Sequence, residues 1–161
     1  MDGCKVLCEP KASPIAVLLC FHWAGGNALS FRDLAKSMST EGVIVVAVSL
    51  PFRTFVNTGA TIPPASVAMH VNFVTKCLLD FPRWKEFFSL PLIVFGHSYG
   101  ALIAYEVSKT LEPKPLRVLV SGCPSPRELI RQNQHLLLSQ TAKHLITDQA
   151  LCSYVQSLQG W

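Results

Sequence analysis

Gly96-His97-Ser98-Tyr99-Gly100 sets a serine between two glycines in the spacing G-x-S-x-G. A serine hydroxyl attacks a carbonyl when a base takes its proton and nearby donors stabilise the oxyanion that forms. The pentapeptide alone is common, so its surroundings decide what it means. It follows the apolar run Pro91–Phe95 and precedes Ala101, Ala104, Ser108 and Leu111, which share one helical face. Strand, sharp turn and helix in that order make a nucleophile elbow. Glycines on both flanks remove Cβ atoms that would clash there. The serine then stands at the carboxyl end of a strand, beside a helix N-terminus that favours negative charge. The plain alternative is an ordinary strand–turn–helix junction in which Ser98 caps the helix.

A second segment, Phe21-His22-Trp23-Ala24-Gly25-Gly26-Asn27, lies where the apolar run Ile15–Phe21 ends. In elbow-bearing folds a loop at this place supplies one backbone N–H to the oxyanion, and the residue after the nucleophile supplies the other. By position these donors are Trp23 and Tyr99. The alternative is that Gly25-Gly26 simply turns the chain into a helix.

These residues need a scaffold. Four apolar runs, Ile15–Phe21, Val43–Leu50, Pro91–Phe95 and Leu116–Val120, are nearly continuous rather than alternating. Strands buried on both faces of a parallel sheet read this way. Helical stripes lie between them. Phe31, Leu34, Ala35 and Met38 form one, with Asn27 to cap it and Gly42 just past its end. Val67, Val71, Val74 and Leu78 form another, after Pro63 and Pro64. The alternation predicts an α/β fold with a mostly parallel sheet flanked by helices. The chain reads as one domain over residues 1–161, with a helical region from about 124 to 161. The strand reading stops at Leu116–Val120, which leaves an apolar edge that either a missing C-terminal part or a partner must cover.

Composition narrows the function. Half of the 161 residues are hydrophobic and 15% are charged, as in a globular protein. The net charge of +4 is spread along the chain, so no basic stripe for nucleic acid is expected. The six cysteines form no C-x-x-C pair. They read as free thiols in a reducing compartment rather than as a metal or redox site. No stretch approaches the ~20 apolar residues of a membrane span, and no signal peptide is apparent, so the expected location is the cytoplasm. No cofactor or metal is called for.

Taken together, F-x-x-A-G-G-N-A-x-x-F, S-L-P-x-R, P-L-I-V-F-G-H-S-Y-G-A-L-I-A-Y-E and L-R-V-L-V-S-G-C-P-S-P occur in the order seen in one family. From about Ile15 to Trp161 the chain resembles the type II thioesterases and the medium-chain S-acyl fatty acid synthase thioesterases, which belong to the α/β-hydrolases. The resemblance implies an α/β-hydrolase domain, incomplete at its C-terminus, with residues 124–161 as the start of a helical lid. It implies hydrolysis of acyl groups from a phosphopantetheine thioester on an acyl carrier protein, or from acyl-CoA, without a cofactor. It carries over Ser98 as nucleophile, and Trp23 and Tyr99 as oxyanion-hole backbone donors.

Two residues depart from the family pattern. His22 stands in place of proline and is expected to alter the oxyanion loop; Phe52 stands in place of glycine and is expected to narrow the approach to the serine. The family's triad acid and histidine fall beyond residue 161. His97 reads as a packing residue, and His135 and His144 as surface residues. His70 has no assigned role. Asp80 reads as a helix-end carboxylate and Asp148 as a first-turn charge, rather than a triad acid. Without its base a serine is a poor nucleophile, so the 161-residue chain by itself is expected to be nearly inactive. Two other readings stand beside an incomplete thioesterase: an inactive domain that serves as a binding module, and a serine carboxylesterase of other specificity.

Overall fold

The computed structural model describes residues 3–50 and 67–123. Five strands form one sheet: β1 (Cys4–Cys8), β2 (Ala16–Phe21), β3 (Val43–Val48), β4 (Leu92–His97) and β5 (Arg117–Ser121). Their spatial order is β1-β3-β2-β4-β5. β1 runs antiparallel to β3, and the remaining pairs are parallel. The α/β class with a mostly parallel sheet is therefore what the chain adopts.

The four apolar runs correspond to β2 through β5. β1 is a fifth strand that the sequence reading lacks. It is five residues long and only Cys4 is buried, so it carries no apolar run to announce it. Its pairing with β3 joins Cys4 to Val48 and Lys5 to Ala47, contacts far apart in sequence that no local pattern reveals.

Each parallel connection carries a helix. Between β2 and β3 the chain forms a 3-10 turn, Ala28–Phe31, and then α1 (Arg32–Thr40). Asn27 caps the turn: its side-chain oxygen accepts from the Leu29 N–H at 2.8 Å, while its own N–H donates to Ser30 Oγ at 3.1 Å. The expected cap thus serves the 3-10 turn, and the α-helix proper begins one residue after Phe31. Gly42 adopts φ +76° beyond the helix end, a conformation glycine takes without steric cost. α2 (Val67–Leu79) and the short α3 (Trp84–Phe87) precede β4, and α4 (Tyr99–Thr110) joins β4 to β5.

Period-two alternation along the strands divides the core into two layers. Leu19, Phe21, Ile44, Val46, Val48 and Val94 pack with α2 and α4 through Val74, Leu78, Ile103 and Val107. Leu18, Cys20, Val45 and Ala47 pack on the other face with Ala28, Phe31 and Ala35. β2 is buried along its whole length. All five residues of β5 are exposed at the opposite edge from β1. Among the described residues no helix is long and apolar enough to cross a membrane.

The connection from β2 leads outward to β3, whereas β4 returns to the other side of β2. The strand order therefore reverses between β2 and β4. In open α/β sheets the crevice outside the carboxyl ends of strands at such a reversal is where ligands bind.

The five described cysteines are free thiols. Burial, and secondarily the neighbouring Cys77, pushes the Cys4 thiol up to about 12; burial, and secondarily Cys8, does the same for Cys20. Iodoacetamide at pH 8 should therefore leave Cys4 and Cys20 unmodified in the folded chain and alkylate both in urea, read by peptide mass mapping. Labelling of either in the folded chain would contradict this core.

Candidate active site

Ser98 follows directly on β4 and adopts φ 54°, ψ −121°. It is the only non-glycine residue with positive φ among the described residues. Such a conformation costs on the order of 1–3 kcal/mol and persists only where the surroundings impose it. Here the backbone is held on both sides: the Ser98 N–H donates to the Ser121 carbonyl at 2.8 Å, and the Ser98 carbonyl accepts from the Ala101 N–H at 3.0 Å. Ser98 occupies the N-cap position of α4, yet its side chain makes no capping hydrogen bond. An ordinary serine-capped junction would show that bond, and extended rather than positive-φ backbone.

The flanking glycines are required by contact. A Cβ on Gly96 would lie 2.3 Å from the Gly100 carbonyl oxygen and 2.6 Å from Ala101 Cα. A Cβ on Gly100 would lie 2.2 Å from the Phe21 carbonyl oxygen and 2.5 Å from that of His22. The first turn of α4 is thus pressed against the strand that leads into it and against the carboxyl end of β2.

This second contact brings the two predicted donor segments together. Tyr99 is the first residue of α4, and first-turn N–H groups are directed out of the helix end rather than into its ladder. Trp23 begins the loop after β2. The Gly26 N–H donates to the Trp23 carbonyl at 3.0 Å, closing a four-residue turn. Gly25 sits at its third position with φ +81°, as a type II turn demands. Beyond its backbone, the Trp23 indole stands edge-on to His97, with ring centroids 5.8 Å apart, and to Phe31, at 6.3 Å.

The described histidines are each engaged by other groups. His22 is 1% exposed; its Nδ1 donates to the Trp23 carbonyl at 2.7 Å, and its Nε2 accepts from the Leu50 N–H at 3.1 Å. Where the family pattern has proline, His22 thus makes a pair of hydrogen bonds. His97 pairs in register with Ser121, and its Nδ1 lies 3.2 Å from Ser121 Oγ. Gly122, at φ +61°, makes room for that ring, since a Cβ there would fall 2.6 Å from His97 Cε1. His97 is thus a packing residue. His70, to which sequence reasoning gave no role, is buried in α2 and hydrogen-bonded through Nδ1 to the Tyr99 hydroxyl. Their rings meet edge to face at 5.6 Å. Its position could have been read: it lies three residues after Val67 and four before Val74, inside the apolar stripe.

Among the described residues, no hydrogen bond joins a histidine or a carboxylate to the Ser98 hydroxyl. Phe52, His135, His144, Asp148 and the lid-like region 124–161 lie outside the described residues.

A mostly parallel sheet with a strained serine at the carboxyl end of a central strand, wedged by glycines at a reversal of strand order, defines an α/β-hydrolase. The fold is similar to that of a thermostable carboxyl esterase from Bacillus coagulans, with TM-score 0.61 and 17% identity, covering 95% of this chain and 50% of that one. Residues 16–158 match the family model of the thioesterase domain, and the chain belongs to that family. It is 27% identical over 147 residues to the gramicidin S biosynthesis protein GrsT of Aneurinibacillus migulanus, covering 89% of this chain and 51% of that protein. It is 31% identical over 128 residues to the medium-chain S-acyl fatty acid synthase thioesterase of Anas platyrhynchos, covering 76% of this chain and 48% of that protein. The chain spans about half the length of the curated relatives it matches.

Gly100→Ala tests the wedge. A methyl group there meets backbone on both near contacts, which cannot swing aside as a side-chain end could. The variant should lose more than about 2 kcal/mol in urea unfolding, the range of strained or overpacked core substitutions. Ala104→Gly, farther along the same helix, should cost only about 1 kcal/mol from helix propensity, plus a small cavity. Wild-type stability of Gly100→Ala would contradict the wedge.

Proposed function

We propose that this protein is a serine acyl thioesterase that releases acyl groups from phosphopantetheine on an acyl carrier protein, or from acyl-CoA. The observation that carries the reading is Ser98: a strained, uncapped serine wedged beside the β2 loop, in a chain of the thioesterase family. The names of the relatives, one in fatty acid synthesis and one in gramicidin S biosynthesis, support a carrier-bound acyl substrate.

In this mechanism Ser98 Oγ attacks the thioester carbonyl carbon and its proton passes to a general base. The carbonyl oxygen becomes an oxyanion that accepts hydrogen bonds from the Trp23 and Tyr99 N–H groups. Removing one such donor typically lowers kcat by about 10²–10³. The helix of Tyr99–Thr110 adds its positive N-terminal end. Collapse of the intermediate breaks the C–S bond, and the thiol leaves with the proton. Water then attacks the acyl-serine, releasing the carboxylic acid and restoring Ser98. The resemblance puts the base and its acid partner outside the described residues, and the hydrogen bonds that His22, His70 and His97 make to other groups support that reading. We place the protein in the cytoplasm, which its free thiols support.

The exposed β5 edge favours a second reading, an inactive domain that binds a partner through that strand. The native protein, assayed on a medium-chain acyl-CoA beside Ser98→Ala, separates the two. The thioesterase reading predicts that Ser98→Ala lowers kcat by about 10³ or more. It also predicts faster turnover of the thioester than of the oxygen ester with the same acyl chain. Equal rates for wild type and variant contradict it. A folded wild-type protein at background rate favours the binding module, and preference for the oxygen ester favours a carboxylesterase.

A further inference from the structure

β2 ends at Phe21, the last residue of that strand to pair with β3 and β4. Trp23 to Gly26 follow as a loop. The turn that starts at Trp23 is closed by its Gly26–Trp23 bond, but that bond is local. It gives the turn a shape without tying it to the sheet. Gly25, at φ +81°, adds a residue with little resistance to rotation.

The His22 imidazole ties the turn to the end of β3. A carbonyl oxygen only accepts and an amide N–H only donates, so the two partners set the ring's state: neutral, with the proton on Nδ1. Through Nδ1–H the ring holds the Trp23 carbonyl, and through Nε2 it holds the Leu50 N–H, 28 residues along the chain, just past the end of β3. The Trp23 carbonyl then accepts twice, from His22 and from Gly26. On the other side of Trp23 Cα, the His22 carbonyl rests against Gly100, where no Cβ could fit. Both peptide planes that flank Trp23 are held, and with them the direction of the Trp23 N–H. The same bonds commit the Nε2 lone pair, which a general base for Ser98 would need.

We propose that His22 is a positioning residue, whose neutral imidazole fixes the Trp23 loop to the end of β3 so that the Trp23 N–H is held as an oxyanion donor. The proposal rests on the reading of Ser98 as a nucleophile, and its test separates the two. Its structural half is read on the native protein by NMR. The two-bond ¹⁵N–¹H pattern of His22 should be that of the Nδ1–H tautomer. In His22→Ala, amide exchange at Gly26 should accelerate about tenfold or more, while Val46 in β3 keeps its protection. Its functional half is read on the native protein. His22→Ala should lower kcat by about 10²-fold with KM little changed, the signature of an interaction made in the transition state. His22→Gln, which offers one donor and one acceptor, should recover part of the loss and shows whether the site tolerates change without unfolding. Unchanged exchange at Gly26, the opposite tautomer, or wild-type kcat in His22→Ala would each overturn the proposal. An intact tie in a wild-type protein that shows no Ser98-dependent turnover would instead refute the thioesterase reading and leave the structural tie standing.

Discussion

The first turn of α4 can lie against the end of β2 only because residue 100 has no side chain. The carbonyl oxygens of Phe21 and His22 occupy the space a Cβ would fill, at 2.2 and 2.5 Å. Gly96 allows the matching approach on the strand side, against Gly100 and Ala101. With the helix start fixed from two directions, Ser98 between them has no room for ordinary backbone and takes φ 54°. The strain is thus imposed by packing that the whole sheet supports, which is the condition under which strain persists.

From that contact the geometry of the site follows. Strand order reverses between β2 and β4, and the approach of Gly100 to the Phe21 and His22 carbonyls sets the elbow after β4 beside the loop after β2. Tyr99 stands at a helix N-terminus and Trp23 in a turn. A buried histidine accompanies each: His70 meets the Tyr99 hydroxyl from α2, and His22 meets the Trp23 carbonyl. The packing of Gly100 and the placing of Ser98 therefore depend on the same contacts.

Local patterns in the sequence were enough for β2 to β5, the three longer helices between them and the strand–turn–helix setting of Ser98. Continuous apolar runs mark strands buried on both faces, and a G-x-S-x-G between a strand and a helix leaves few conformations open. Pairings distant in sequence were not legible. β1 has one buried residue, and its place depends on β3. The chain from His22 to Leu50 is bridged by a ring whose partner could be known only once β2 and β3 lay side by side. His70 was overlooked because a histidine on an apolar stripe has no fixed meaning until its neighbour is known. Its neighbour, Tyr99, comes from a different helix.

The central claim is that this elbow presents Ser98 as the nucleophile. Its most direct test is to mix the native protein with a medium-chain acyl-CoA, quench in acid within the first turnovers, and map the acyl group by mass spectrometry. The account predicts an acyl adduct on the Ser98 side chain. Turnover with no adduct on Ser98, or with the acyl group on another residue, would contradict it.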